Sequence, residues 1–255
     1  MTGTFINIAA VLIGGSLGLL FGGHLRENIG KTVIAGMGLF TAVMGIKMFL
    51  ETKNSLIVLG ALLIGALLGE WWRIEDGLQA LGRWLEKRFT KKQSSVLQGH
   101  DPGQTTPGSQ VPLPGDIVQH GNFVRGFLTA SLLFCVGPMT ILGSIQDGLK
   151  GDYSLLAVKS VLDGFAALAF ASTLGVGVLF SVLVILFYQG GISLLAGQLS
   201  AVITPAMMAE MTATGGVILL GIAISSLLEI KPIRVGNFLP ALAIAPLIVW
   251  IVNLC

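Results

Sequence analysis

Long runs without a charged residue divide this sequence, and they constrain its fold more than any other feature. Thr4–Gly22 is 19 residues free of Asp, Glu, Lys and Arg. About 20 apolar residues carry a helix across the hydrocarbon of a bilayer. Thr32–Leu50 is a second span, with a single charge. Its Lys47 lies near the far end, where a long side chain snorkels to the interface. Ser55–Gly69 offers only 15 uncharged residues, but Glu70, Trp71 and Trp72 extend it at headgroup level. Only 11% of the chain is charged and 53% is hydrophobic, against about 25% charged in ordinary soluble domains. The expected fold is therefore all-α: a polytopic helical membrane protein.

The small residues point the same way. Gly14, Gly18 and Gly22 recur every four residues, and Gly65 and Gly69 repeat the spacing. Such seams let membrane helices pack closely. Leu12–Gly18 and Leu63–Gly69 echo each other, with a fainter copy at Leu219–Ser225. Asn7 is the sole amide of the first run, and its expected role is a hydrogen bond across helices. Met1–Phe5 carries no basic segment, so the first run is expected to be a retained first helix.

The middle of the chain differs in kind. Between Arg73 and Lys92, Ile74, Leu78, Leu81, Leu85 and Phe89 recur at helical spacing among six Lys and Arg residues. This is an amphipathic basic helix suited to the membrane surface. Residues 93–121 hold four of the nine prolines and five glycines and read as a flexible linker. The expected organisation is an N-terminal three-helix segment over 1–72, the surface helix over 73–92, this linker, and a C-terminal membrane segment over 122–255.

The second half gives further spans. Gly126–Ile145 is the fourth, followed by a short loop containing Asp147, Lys150, Asp152 and Tyr153. Leu155–Phe187 is too long for one straight helix. Either two helices turn near Ser172–Gly177, with a possible re-entrant segment near 188–203, or one spans Gly164–Phe187 and another runs from Gly190 to Ile203. Pro205–Met211, with Glu210, reads as interfacial. Gly215–Leu228 and Asn237–Cys255 complete about eight crossings. Arg26 and Lys31, the 73–92 cluster, and Lys231 and Arg234 then fall on one side of the membrane. The positive-inside rule makes that side cytoplasmic and puts the N-terminus outside.

Candidate chemistry concentrates in two stretches. Gly137-Pro138 falls in or at the end of the fourth run, and a proline there needs something to satisfy the backbone groups it frees. Ser144, Gln146 and Asp147 follow. Lys159 and Asp163 are four apart on one helical face; they are either an ion pair within the membrane or a solvated first turn. Gln189 and Asn237 are further oxygen donors. No His, Cys or carboxylate cluster has metal spacing, and no nucleophile elbow, zincin or P-loop pattern is present. The reading is therefore of a non-enzyme without metal or cofactor. An aspartyl protease built on Asp147 and Asp163 is conceivable, but their flanks carry no protease motif. A net charge of +2 gives no ground for nucleic-acid binding.

The run Gly137-Pro-Met-Thr-Ile-Leu-Gly-Ser-Ile-Gln-Asp-Gly148 resembles the hallmark of the bacterial YdfK/YqgA-like membrane proteins, a family defined by a domain of unknown function. Lys159–Gly164, Phe170–Ser172 and Gly175–Gly177 resemble its second block, and Val235–Pro240 its C-terminal block. The resemblance spans both hydrophobic halves and omits 93–121. It implies a bacterial inner-membrane protein of a kind often described as a transporter, without an established substrate. The leading expectation is transport of a small solute or ion at a broken helix, with Gly137, Pro138, Ser144, Gln146, Asp147, Lys159, Asp163 and Asn237 along the pathway. On that reading Asp163→Asn abolishes flux and spares folding. The alternative is a non-transporting scaffold or regulator that uses 73–92 and the linker. The bilayer and an unknown small solute or ion are the expected partners, and a homo-oligomer is left open.

Overall fold

The computed structural model describes residues 1–22, 27–90 and 114–252. Its helices are α1 (Thr2–Gly22), α2 (Glu27–Phe49), α3 (Ser55–Trp72), α4 (Ile74–Thr90), α5 (Pro114–Cys135), α6 (Pro138–Lys150), α7 (Ser154–Leu174), α8 (Ser181–Leu194), α9 (Ala196–Val202), α10 (Pro205–Ile222) and α11 (Ala241–Val252). Among the described residues, seven helical segments are long and apolar enough to cross a membrane, or eight if the bent pair α5–α6 is one span. Helix α5 begins at Pro114, so its first turns come from the stretch read as linker. The remainder of that stretch, 93–113, lies outside the described residues, as do His24, His100 and Cys255.

Glycine seams join the first 72 residues to the C-terminal half. A Cβ on Gly14 or Gly18 would collide with the carbonyl of Gly164 or Leu168, and one on Gly22 would stand 2.7 Å from that of Ser172. Both numbers rise in steps of four, so α1 and α7 run parallel. Gly45 of α2 meets Gly216 of α10 backbone to backbone, and Gly38 meets Leu228, so that pair is antiparallel. Gly65 and Gly69 of α3 meet Ala241 and Asn237, which sets α3 antiparallel to α11. In a bilayer, where lipid is as apolar as leucine, contacts this close supply much of the association.

The long stretch 155–187 resolves as two helices. Helix α7 ends at Leu174, and Gly175, in a left-handed conformation at φ 81°, turns the chain into a short 3-10 segment, Val176–Phe180, that leads into α8. Residues 188–194 complete α8 and 196–202 form the separate α9. The possible re-entrant segment near 188–203 is thus divided between a helix end and a short helix.

Helices α5 and α6 bend by 61° about Val136-Gly137. Pro138 is the first residue of α6 and has no N–H for the Phe134 carbonyl four residues earlier. The Thr140 hydroxyl donates to that carbonyl instead, at 3.1 Å. This is the re-satisfaction that a broken membrane helix requires. Gly137 contributes little to the break. Its backbone is extended, at φ 166°, and a Cβ there would meet nothing within 4 Å. Thr140→Val is therefore expected to cost about 1–3 kcal/mol, the desolvation cost of an orphaned buried carbonyl. Gly137→Ala should stay within about 0.5 kcal/mol of the parent. Thermal unfolding of the two variants in detergent checks the contrast.

Candidate polar site within the helix bundle

Helices α1, α6, α7 and α8 converge on a buried polar cluster. Asp147 is 3% exposed, Lys159 6% and Asp163 9%. The Lys159 ammonium donates to Asp163 Oδ2 within α7. Asn7 of α1 also donates to Asp163 Oδ2, at 3.0 Å, and to Gln189 Oε1 of α8, at 3.0 Å. Gln189 in turn donates to the Thr4 hydroxyl at 3.3 Å. The Lys159–Asp163 pair is thus part of the bundle interior and not a solvated first turn. The cross-helix role expected of Asn7 is met by two hydrogen bonds.

Asp147 belongs to the same region. Its Oδ2 accepts the Gly3 N–H at 3.1 Å and lies 3.0 Å from the Met1 amino group. It is a buried residue of α6, which corrects its reading as a loop residue: α6 runs on to Lys150 and confines the loop to residues 151–153. The loop carboxylate is Asp152, which is exposed and accepts the Ser154 N–H at 3.0 Å. The Ser154 hydroxyl and N–H hold it below the usual carboxylate range. Ser144 lies one turn from Asp147 on α6 and is fully buried. Gln146 is half-buried and takes no part in these hydrogen bonds.

Asn237 stands apart, at the opposite end of the bundle. Its Oδ1 accepts the Glu75 N–H at 2.8 Å, and its amide donates to Glu70. Arg234 pairs with Glu70 at 2.6 Å and with Asp76. The hydrogen bond to Asp76 raises the guanidinium above its already high ordinary pKa. The contact therefore keeps its charge at any physiological pH and ties the 228–234 turn to the α3–α4 corner. Arg73 makes that corner, in a left-handed conformation at φ 52°.

Glu210, read as interfacial, is buried beneath the α2–α3 turn, at 2% exposure. It accepts from the Thr52 hydroxyl at 2.6 Å and from the N–H groups of Lys53 and Asn54 at 2.7 and 3.0 Å. It anchors the α2–α3 turn to α10, where a carboxylate satisfies loop donors that have no helix to serve. The sequence signal was its position as the only charge between Pro205 and Leu228.

Two cavities lie elsewhere in the bundle. One of about 330 Å³ is almost wholly apolar and is lined by Ser131, Cys135, Ile141, Tyr188, Met211 and Leu242. It borders the α5–α6 break. Another, of about 910 Å³, opens between α4 and α5 among Gln79, Arg83, Lys87, Arg125 and Glu229. Arg125 there donates to the Ser226 carbonyl at 2.8 Å. That carbonyl lies in the π-helical turn Ala223–Leu227 at the end of α10.

Apolar helices packed through glycine seams around a buried ionisable pair define a polytopic α-helical membrane protein with a polar interior. The chain belongs to the DUF554 family of proteins of unknown function, whose model matches residues 2–250. It is 31% identical to the uncharacterized protein YqgA of Escherichia coli K12, over 95% of this chain and 94% of that one. It is 28% identical to the uncharacterized membrane protein YdfK of Bacillus subtilis 168, over 99% and 97% of the two chains. No solved structure matches it.

Proposed function

We propose that this protein moves a small solute or ion across a bacterial inner membrane, with the α1–α6–α7–α8 cluster as its polar site and the N-terminus outside. The observation that carries this reading is the burial of Lys159, Asp163 and Asp147 inside helices otherwise fit to face lipid. Ionisable groups at membrane depth are costly, and they mark ion paths and proton relays more than packing. The α5–α6 break supports it, because transporters build sites where helices are interrupted near polar groups. The orientation rests on charge. Lys31, Arg83, Lys87, Arg88, Arg125, Lys231 and Arg234 gather at the end away from Asn7, which the positive-inside rule makes cytoplasmic.

The test uses the full-length protein in liposomes, with imposed gradients of protons, sodium and potassium read by internal dyes. The wild type should dissipate at least one gradient faster than empty liposomes. Lys159→Gln combined with Asp163→Asn should abolish the difference. Equal rates for the wild type and the double variant would remove the cluster from the pathway.

A further inference from the structure

The polar cluster contains oxygen atoms with nothing to bind. Asn7 Oδ1, Ser144 Oγ, Asp147 Oδ1 and Ser193 Oγ are buried and have no hydrogen-bond partner among the described residues. Their residues are at most 4% exposed. The orientation of Asn7 is fixed by chemistry. Asp163 accepts only, so Asn7 must present its amide nitrogen there, and that nitrogen also serves Gln189. The Asn7 carbonyl oxygen is left as an acceptor facing elsewhere. Both Oδ2 contacts of Asp147 leave its Oδ1 in the same condition.

The register places these atoms in two adjacent layers. In the outer layer, Asp147 accepts from Gly3, and a Cβ on its neighbour Gly148 would collide with the Ser193 carbonyl. One turn deeper along each helix come Asn7 on α1, Ser144 on α6 and Gln189 on α8, with Gln189 bound to Asn7. A helical turn is about 5.4 Å. The four unpartnered oxygens therefore belong to adjacent layers of three helices packed on one another, and none is hydrogen-bonded to another.

We propose that Asn7, Ser144, Asp147 and Ser193 form a binding site for an alkali cation. Two of the four atoms can only accept, so the ligand must be a donor or a positive charge. Carbonyl, hydroxyl and carboxylate oxygens form a hard donor set, suited to a hard cation and not to a soft metal. Both contacts of Asp163, from Lys159 and Asn7, fall on its Oδ2 and tie that carboxylate to the ammonium; Asp147 Oδ1 is the fully buried carboxylate oxygen without a partner among the described residues. A divalent ion such as calcium takes six to eight oxygens, several of them carboxylate. The Asp147 charge is already paired with the Met1 amino group, so the site offers oxygen dipoles and little net charge, which fits a singly charged ion, as in carbonyl-lined filters. The assignment deepens the transport reading, on which the role of the ion as cargo or coupling ion rests.

The test is thermal unfolding of the purified full-length protein in sodium, potassium and choline chloride at matched ionic strength. A saturating alkali ion should raise the midpoint by about 5–10 °C over choline, from the linkage of binding to stability. Ser144→Ala and Ser193→Ala should each raise the half-saturating concentration about tenfold, the loss of one ligand oxygen. Ser131→Ala is the control: this serine is equally buried and unpartnered but lies in the apolar cavity, and its response should match the wild type. Equal midpoints in all three salts would overturn the site, and so would an undiminished response in the Ser144→Ala/Ser193→Ala double variant. Liposomes separate this inference from transport itself. Cation-stabilised protein that moves no gradient keeps the site and removes transport. Flux without any cation effect on unfolding does the reverse.

Discussion

Asp163→Asn is expected to destabilise the folded protein by about 3–5 kcal/mol, and adding Lys159→Gln should return most of that loss. Removing one partner of a buried ion pair leaves the other charge uncompensated, which is the source of the large penalty. Lys159 is buried, and Asp163 is its only carboxylate partner among the described residues. The double variant replaces both charges with amides that can hydrogen-bond to each other and to Asn7. Burial of the ammonium thereby revises the expectation that Asp163→Asn spares folding. Lost flux in that single variant would report damage to the fold and damage to the site together. Unfolding midpoints of both single variants and the double in detergent check this. If the double variant is as unstable as Asp163→Asn, the pair is not the unit described here.

Gly18→Ala should be comparably harmful, at about 2–3 kcal/mol. Alanine gains about 1 kcal/mol over glycine in a helix, but here its methyl group would collide with the Leu168 carbonyl. Overpacking costs about 1–3 kcal/mol, more where backbone must move. The obstacle here is backbone on a partner helix, so the clash outweighs the propensity gain. Gly36→Ala on α2 is the control: nothing lies within 4 Å of a Cβ there. It should be neutral or gain up to about 1 kcal/mol. Parallel unfolding curves decide between the seam and a general intolerance of substitution. An unharmed Gly18→Ala protein would mean that α1 and α7 do not pack backbone to backbone at Leu168.

The sequence was informative about what is periodic and local. Uncharged length placed the helices, and four-residue glycine spacing on α1 and α3 marked faces that do meet partner backbones. Proline at 138 foretold the break, although its neighbour Gly137 proved sterically indifferent. What remained hidden was which helices meet. The choice among α7, α10 and α11 as partners for α1, α2 and α3 depends on packing between residues more than 100 positions apart. The same limit explains the candidate residues. Lys159 and Asp163 were visible as a pair because they share one helix. Their link to Asn7 and Gln189 crosses three helices. Asn237 was grouped with them by residue type, yet it serves Glu70 and Glu75 at the other end of the bundle. Glu210 was read as interfacial, and its burial beneath the α2–α3 turn was not legible. The cost of that burial is offset by the donors of the α2–α3 turn, which no local pattern reveals.

Transport through the α1–α6–α7–α8 cluster requires that its buried side chains open to water during the cycle, which a sealed structural network never does. Thiol accessibility in intact membranes tests it most directly, with single cysteines at positions 144, 147, 189 and 193 in a background lacking Cys135 and Cys255. These positions leave the Lys159–Asp163 pair whole. A membrane-impermeant reagent is predicted to label 144, 147 and 193 as the pathway opens, and to leave a cysteine at Val58, equally buried but on α3 away from the cluster, unmodified. Absence of labelling at all four positions, in protein that retains its unfolding midpoint, would remove the cluster from any pathway and make it a structural network.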